Sequence, residues 1–194
     1  MAIDFDAPAT AVKSPSKLAH VVLRTNNLKA MSQYYQNFLG ARVVHENEML
    51  VFLSYDDEHH RIALVQVPGT QAKLPTSCGL EHIAFTFDSL SDLLLAYRQR
   101  KQKGVLPLWP VNHGPTTSIY YRDPDGNQIE TQYDNFSDPA QANEFMSSKE
   151  FAENPIGVDF DPEDYITRLK KGESEESLTK RIEIGPRGLP EHIQ

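Results

Sequence analysis

Hydrophobic and polar positions follow the same order twice between residues 17 and 136. Each block opens with a run in which apolar residues alternate with others, at 18–25 and again at 80–87, as in a half-buried strand. A helical apolar stripe follows, at 28–39 and from about Ser89, and a glycine ends each helix. Three further strand-like runs complete each block: ARVVHE, MLVFLSY and HRIALVQV in the first, and VLPLWPV, TSIYYRD and NQIETQY in the second. The pattern therefore predicts two tandem βαβββ modules.

We expect an α+β fold in which the two modules form one curved mixed sheet around a shared cleft. The predicted boundaries give an N-terminal arm, a first module, a second module and an acidic C-terminal extension, at residues 1–16, 17–68, 79–136 and 137–194. The two modules together are expected to form one domain.

The C-terminal extension has 13 acidic and 7 basic residues, and apolar side chains are scattered along it. This composition predicts a segment that wraps along the core or along a partner chain, and full disorder is the alternative. A stretch from about Pro162 to Lys171 begins with acidic and ends with basic side chains, which favours a short helix.

The overall composition excludes several classes of protein. No apolar run approaches the roughly 20 residues that a membrane span needs, so we expect no membrane insertion. The formal charge of −8 argues against non-specific binding to nucleic acid. Cys78, the single cysteine, cannot form an internal disulfide, and the first residues resemble no secretory signal. We therefore expect a cytoplasmic protein.

Three side chains form a candidate metal site. His20 and His82 occupy the same place in the two modules, 62 residues apart, and alternation directs both away from the apolar face of their strand. Glu130 shares a face with other polar residues of the last strand, so all three side chains can project into one cleft. Two imidazoles and one carboxylate form the set that binds non-haem Fe(II), and Zn²⁺ or Mn²⁺ could use the same atoms. The alternative is two hydrogen-bonded structural histidines and a solvated glutamate.

The segments HVVLRT, GLEHIAFTF and SIYYRDPDGNQIET resemble the vicinal oxygen chelate superfamily, which includes glyoxalases, bleomycin resistance proteins and dioxygenases. The resemblance covers roughly residues 17–136 and is closest to the one-domain type I extradiol dioxygenases, which cleave catechol or 2,3-dihydroxybiphenyl. It implies that His20, His82 and Glu130 are the metal ligands.

The resemblance also implies three catalytic residues. EHHRIAL is similar to the doubled histidine of the extradiol enzymes, whose second, catalytic member corresponds to His60. The loop NHG resembles the loop that holds a further histidine, here His113, and SIY resembles the strand that holds a tyrosine, here Tyr120.

The implied activity is Fe(II)-dependent extradiol (meta) cleavage of a small aromatic diol by O₂, in a homo-oligomer. His60 would act as the base, while Tyr120 and His113 would hydrogen-bond the oxygens of the substrate. Trp109 is either a wall of the substrate site or a packing anchor.

Three other functions stay open. The first is a lyase or isomerase on the same scaffold; such relatives typically close the metal with four protein ligands, whereas the first-module position that matches Glu130, near Leu64, has no carboxylate. The second is a metal-free small-molecule binding or resistance protein. The third is a homologue that carries the same three metal ligands but acts on an unrelated specialised metabolite. We assign His59 to a solvated turn, His45 and His192 to the surface, and no role to Cys78.

Overall fold

The computed structural model describes residues 4–8 and 10–190, so His192 lies outside the described residues. The first module contains β1 (Val21–Thr25), α1 (Leu28–Leu39), β2 (Arg42–Glu46), β3 (Leu50–Ser54) and β4 (Ile62–Gln66). The second module contains β5 (His82–Thr86), α2 (Leu90–Gln102), β6 (Trp109–Asn112), β7 (Thr116–Arg122) and β8 (Gln128–Asp134). The extension adds α3 (Pro139–Met146), α4 (Lys149–Glu153), β9 (Val158–Asp159), α5 (Pro162–Lys170) and α6 (Glu175–Thr179).

Both module helices begin and end where the sequence predicts. The side chain of Asn27 accepts a hydrogen bond from the backbone N–H of Ala30 at 3.2 Å and caps α1, which ends at Gly40 in the left-handed conformation (φ 65°). Ser89 caps α2 in the same way.

The strands form two mixed sheets, in the orders β1-β4-β3-β2 and β5-β8-β7-β6-β9. In each module the first strand pairs with the last in parallel, and the other pairs within the modules are antiparallel. The predicted α+β class is confirmed, although the strands are divided between two sheets instead of one curved sheet. Consequently β1 and β5 are each an edge strand of their sheet.

One hydrophobic core joins the two modules through the faces of the sheets that carry the helices. Phe38 of α1 packs edge-on against Tyr121 of β7, with ring centroids 5.0 Å apart. The buried Arg100 of α2 donates to the carbonyl oxygen of Phe38 at 2.8 Å. The hydroxyl of Tyr35 donates to the buried carboxylate of Asp123 at 3.0 Å. The other face of each sheet is therefore directed away from this shared core.

The extension packs along the second module. Strand β9 pairs with the edge strand β6, and α5 lies against α2, where Glu163 accepts hydrogen bonds from Arg98 and Lys101. Glu175 of α6 accepts from the backbone N–H of Leu90 and of Ser91, at the N-terminus of α2, where a carboxylate is favoured. No helix in the described residues has the length and apolar content that a membrane crossing requires.

Candidate functional site

The candidate site residues lie in two clusters, one in each module. The first-module cluster consists of His20, Phe52, His59 and His60. The second-module cluster consists of His82, Trp109, His113, Tyr120 and Glu130. Each cluster lies on the side of its sheet that faces away from the shared core.

The parallel pairing of β5 with β8 brings His82 and Glu130 together. The register places Glu130 opposite Ala84, and Nε2 of His82 lies 3.0 Å from Oε2 of Glu130, which is only 5% exposed. Burial alone would raise the pKa of Glu130, but hydrogen bonds from His82 and Ser118 outweigh it and hold the pKa below its usual value. The hydrogen bond with Glu130 raises the pKa of His82. Glu130 is therefore a buried carboxylate in its charged form.

The neighbouring pair, His113 and Tyr120, is fixed in orientation. Nδ1 of His113 lies 2.6 Å from the carbonyl oxygen of Ile156, and since a carbonyl only accepts, Nδ1 carries the proton. Burial lowers the pKa of His113, so its ring is neutral and Nε2 is an acceptor. Nε2 lies 3.1 Å from the hydroxyl of Tyr120. Burial and the charge of Glu130 raise the pKa of Tyr120, which also hydrogen-bonds that carboxylate. One phenol proton thus lies between two acceptors.

Trp109 packs against the Tyr120 ring of this pair. Its ring is 4% exposed and stacks on Tyr120 with centroids 5.2 Å apart, and its indole N–H donates to Asp159 at 2.6 Å. This environment favours the packing anchor over the substrate wall.

The extension holds His113 through contacts that sequence reasoning missed. The side chain of Arg181 donates to the carbonyl oxygens of His113 and Asn154, at 3.2 and 2.7 Å. Gly157 has φ 102°, and a Cβ atom there would lie 2.2 Å from the carbonyl oxygen of Asn112, so only glycine allows this approach. The sequence NPIG at 154–157 could have indicated this close approach, because Asn, Pro and Gly are typical of tight turns.

The first-module cluster is more open to solvent. His20 and His59 are exposed, whereas His60 is half-buried and stacks on Phe52 with ring centroids 4.5 Å apart. The rings of His20 and His60 are 4.2 Å apart, and burial together with the charges of His20 and His59 lowers the pKa of His60. His59 lies in an exposed turn and His45 is exposed, as predicted.

In the structure, the first-module position that corresponds to Glu130 lies one residue from the position expected from the sequence. Val22 pairs with Ala63 as Ala84 pairs with Glu130, so the equivalent residue is Ala63, not the neighbouring Leu64. Leu64 is fully buried in the shared core. A carboxylate is absent at either position.

The three predicted metal ligands do not meet within one chain. His82 and Glu130 are in contact, whereas the ring contacts of His20 are with His59 and His60. Among the described residues, no group of three or more His, Cys, Asp or Glu side chains could hold a metal ion. The assignment of these ligands stays a prediction. Cys78 is exposed and unpaired with any other cysteine.

Comparisons of the sequence and of the structure with known proteins indicate the same superfamily and fold. Residues 17–131 match the family model of the Glyoxalase/Bleomycin resistance protein/Dioxygenase superfamily. The chain is 47% identical over 167 residues to biphenyl-2,3-diol 1,2-dioxygenase 3 of Rhodococcus globerulus, covering 85% of this chain and 88% of the relative. It is 48% identical over 147 residues to biphenyl-2,3-diol 1,2-dioxygenase 2 of the same organism, covering 75% and 77%. A glyoxylase/bleomycin resistance protein/dioxygenase domain from Frankia sp. EAN1pec shares the fold, with TM-score 0.52 and 20% identity over 62% of this chain and 93% of that one.

Proposed function

Because the chain belongs to the Glyoxalase/Bleomycin resistance protein/Dioxygenase superfamily, we propose that it is an extradiol dioxygenase that opens the ring of a catechol-type diol with O₂. The observation that carries this proposal is the identity of 47–48% to two biphenyl-2,3-diol 1,2-dioxygenases, over three quarters or more of the chain. Such enzymes are oxidoreductases that incorporate both oxygen atoms. Biphenyl-2,3-diol is therefore the first substrate to test.

Fe(II) is the proposed metal, with Mn²⁺ and Zn²⁺ as alternatives. When bound, such an ion would lower the pKa of a coordinated hydroxyl group of the substrate. The described residues of a single chain bring together only His82 and Glu130, and His20 lies in the other cluster. One chain by itself therefore does not complete the predicted set of ligands.

The second-module cluster supports proton transfer at the substrate oxygens. Tyr120 keeps its proton, and neutral His113 presents Nε2 as an acceptor beside it. The two residues can together hold a substrate hydroxyl group and move a proton from it. His60 is the proposed base from the first-module cluster, and its lowered pKa favours the neutral ring that a base requires.

The two main alternative functions, a lyase or isomerase and a metal-free binding protein, would each require a different set of side chains at the site. A lyase or isomerase of the four-ligand type would need a carboxylate at Ala63, where this chain has a methyl group. A metal-free binding protein has no need of the contact between buried Glu130 and His82. Both features favour the dioxygenase.

The test is to purify the protein without oxygen, reconstitute it with Fe(II), and measure O₂ uptake and the yellow ring-opened product with biphenyl-2,3-diol and catechol. We expect rapid O₂ uptake that the His82→Ala variant loses. Stoichiometric iron without O₂ uptake on either diol would reject this substrate class. Failure to bind any metal would favour the binding protein. A cytoplasmic location and a homo-oligomeric state stay predictions that these assays leave aside.

A further inference from the structure

We propose that Asp159 and Arg187 of the extension are positioning residues for the proton transfer carried out by His113 and Tyr120, and that they act through the ring of Trp109. This role rests on the proposed function and deepens it, because it adds two residues of the extension to the groups that hold the substrate oxygens.

Strand pairing places Tyr120, Trp109 and Asp159 on one face of the second sheet. Trp109 of β6 lies directly opposite Tyr120 of β7, and Val111 of β6 lies directly opposite Asp159 of β9. Since residues two positions apart on a strand share a face, Asp159 is the diagonal neighbour of Trp109. The indole N–H donates to the carboxylate of Asp159 at 2.6 Å. A continuous row of contacts therefore runs from the extension to Tyr120.

The carboxylate of Asp159 selects one orientation of the indole ring. Trp109 is buried, and a buried indole N–H needs an acceptor, which a phenylalanine at the same place would not need. Arg187 fixes this acceptor. Its guanidinium donates to both carboxylate oxygens of Asp159 at 2.7 Å and lies 5.8 Å from the centre of the Trp109 ring. Bidentate pairing of this kind holds a carboxylate in one geometry.

Arg187 also reaches the turn that holds His113. Its side chain donates to the carbonyl oxygen of Gly157 at 3.1 Å, and the preceding carbonyl, that of Ile156, accepts from Nδ1 of His113. One guanidinium thus supports both members of the pair, the histidine through this turn and the tyrosine through the indole ring.

Trp109 contacts both members of the pair. Its ring stacks on that of Tyr120 with 25° between the planes, and it meets the ring of His113 edge-on with centroids 5.6 Å apart. A turned indole would therefore displace the Tyr120 hydroxyl from Nε2 of His113, which lies 3.1 Å away. Catalysis depends steeply on such distances, and a misplacement of about 1 Å can cost roughly 100-fold in rate.

The pairing of Asp159 with Arg187 contributes little to stability. The Asp159 side chain is 56% exposed, and an ion pair this open to solvent adds little to the free energy of unfolding. Asp159→Ala should therefore leave the melting temperature close to that of the unmodified protein while it lowers kcat. A merely structural role predicts a lower melting temperature with an unchanged kcat, and that result would overturn the proposal.

The first experiment uses the fluorescence of Trp109, the single tryptophan of the chain. In Asp159→Ala the ring loses its acceptor, so its emission should shift to the red and acrylamide should quench it more strongly. Asp159→Asn keeps an oxygen acceptor for the indole N–H and should restore most of the unmodified spectrum. Glu153→Ala, which removes an exposed carboxylate at the end of α4, is the control. An unshifted emission in Asp159→Ala would overturn the proposal.

The second experiment measures steady-state kinetics of the Fe(II)-loaded protein with biphenyl-2,3-diol. Asp159→Ala and Arg187→Ala should each lower kcat roughly 10-fold, with KM and bound iron unchanged, whereas Glu153→Ala should have no effect. In a chain that already carries Trp109→Phe, Asp159→Ala should cause no further loss of kcat, because it acts through the indole N–H. Equal losses with and without Trp109→Phe would overturn the proposal.

Failure of the proposed function can be distinguished from failure of this positioning role. An unmodified, Fe(II)-loaded protein that does not turn over biphenyl-2,3-diol or catechol would reject the proposed function. In that case a shifted emission in Asp159→Ala, restored in Asp159→Asn, would still support the positioning of the ring, and an unshifted emission would overturn it.

Discussion

The two clusters descend from the same repeated pattern, yet their surroundings differ. In the second-module cluster the extension packs beside the strands, and Ile156 and Arg181 hold His113. After β4 the chain continues through residues 67–81 into the second module, and His20 of the first-module cluster stays exposed. The comparison teaches that equivalent strand positions give similar directions for side chains, whereas the burial and the hydrogen bonds of a cluster also depend on the segments that pack beside its strands.

The largest expected effect is on kcat, and it distinguishes the two adjacent histidines of the first-module cluster. His60→Ala should lower kcat by roughly 10²- to 10⁴-fold, the usual contribution of a general base, while bound iron is retained. His59→Ala, at the exposed neighbour, is the control and should stay within a few-fold of the unmodified kcat. Equal kcat values for the two variants in steady-state assays would show that the open cluster takes no part in proton transfer.

A smaller effect is expected where the extension supports the second-module cluster. The Arg181 side chain is 2% exposed and donates to three backbone carbonyls, so Arg181→Ala should lower the free energy of unfolding by about 3 kcal/mol. It should also lower kcat roughly 10- to 100-fold, because His113 loses its support. Urea unfolding and kinetics check this, with the exposed neighbour Lys180→Ala as control. Loss of stability with unchanged kcat would make the extension purely structural.

The contact that holds the modules together is tested by a pair of adjacent tyrosines. Tyr35→Phe removes a buried hydrogen bond to Asp123 and should cost about 1.5 kcal/mol in the free energy of unfolding. Tyr34→Phe is the matched control, since the Tyr34 hydroxyl is buried and, within the described part of the chain, has no hydrogen-bond partner. Urea titration should show no loss for Tyr34→Phe. Equal losses of unfolding free energy in the two variants would mean that the hydrogen bond from Tyr35 to Asp123 does not stabilise the fold.

The smallest effect concerns the attachment of α5 to α2, and it depends on pH. Hydrogen bonds from Lys101 and Arg98 lower the pKa of Glu163 to about 2, against an ordinary value of 4.5. A lowered folded-state pKa contributes stability that is present above the ordinary pKa and is lost as the pH falls toward the folded-state value. Glu163→Gln should therefore lower the melting temperature slightly at pH 7.

The difference between Glu163→Gln and the unmodified protein should shrink as the pH falls from about 4.5 toward 2. Glu144→Gln, at an exposed glutamate of α3, should leave the melting temperature unchanged across this range. A difference for Glu163→Gln that grows with acidity would contradict the assigned ion pairs.

Much of the fold was predictable because periodicity and capping are local. Asn27 and Gly40 bound α1 as expected, and alternation correctly directed Ile83 into the core and Glu130 away from it. Alternation gives the direction of a side chain on its own strand, but it does not give the position of a second sheet. Whether His20 and His82 face one cleft therefore depends on how the two modules pack. That packing rests on tertiary contacts such as Phe38 against Tyr121, which no local pattern predicts.

The extension was the least predictable part of the site. The contact of Ile156 with His113 runs through a backbone carbonyl, which any residue offers, so the side chain gives no sign of it. Arg181 lies 68 positions from His113, and no spacing rule connects them. The first-module equivalent of Glu130 was misplaced by one residue because His60 precedes β4, where alternation from the strand no longer applies.

The contacts of the extension with His113 carry a consequence for how far the chain could be shortened. A chain that ended at residue 136, where the repeated pattern ends, would keep the eight strands of the two modules but lose the carbonyl of Ile156 and the side chain of Arg181 that hold His113. The functional unit is therefore longer than the repeat that builds the two sheets.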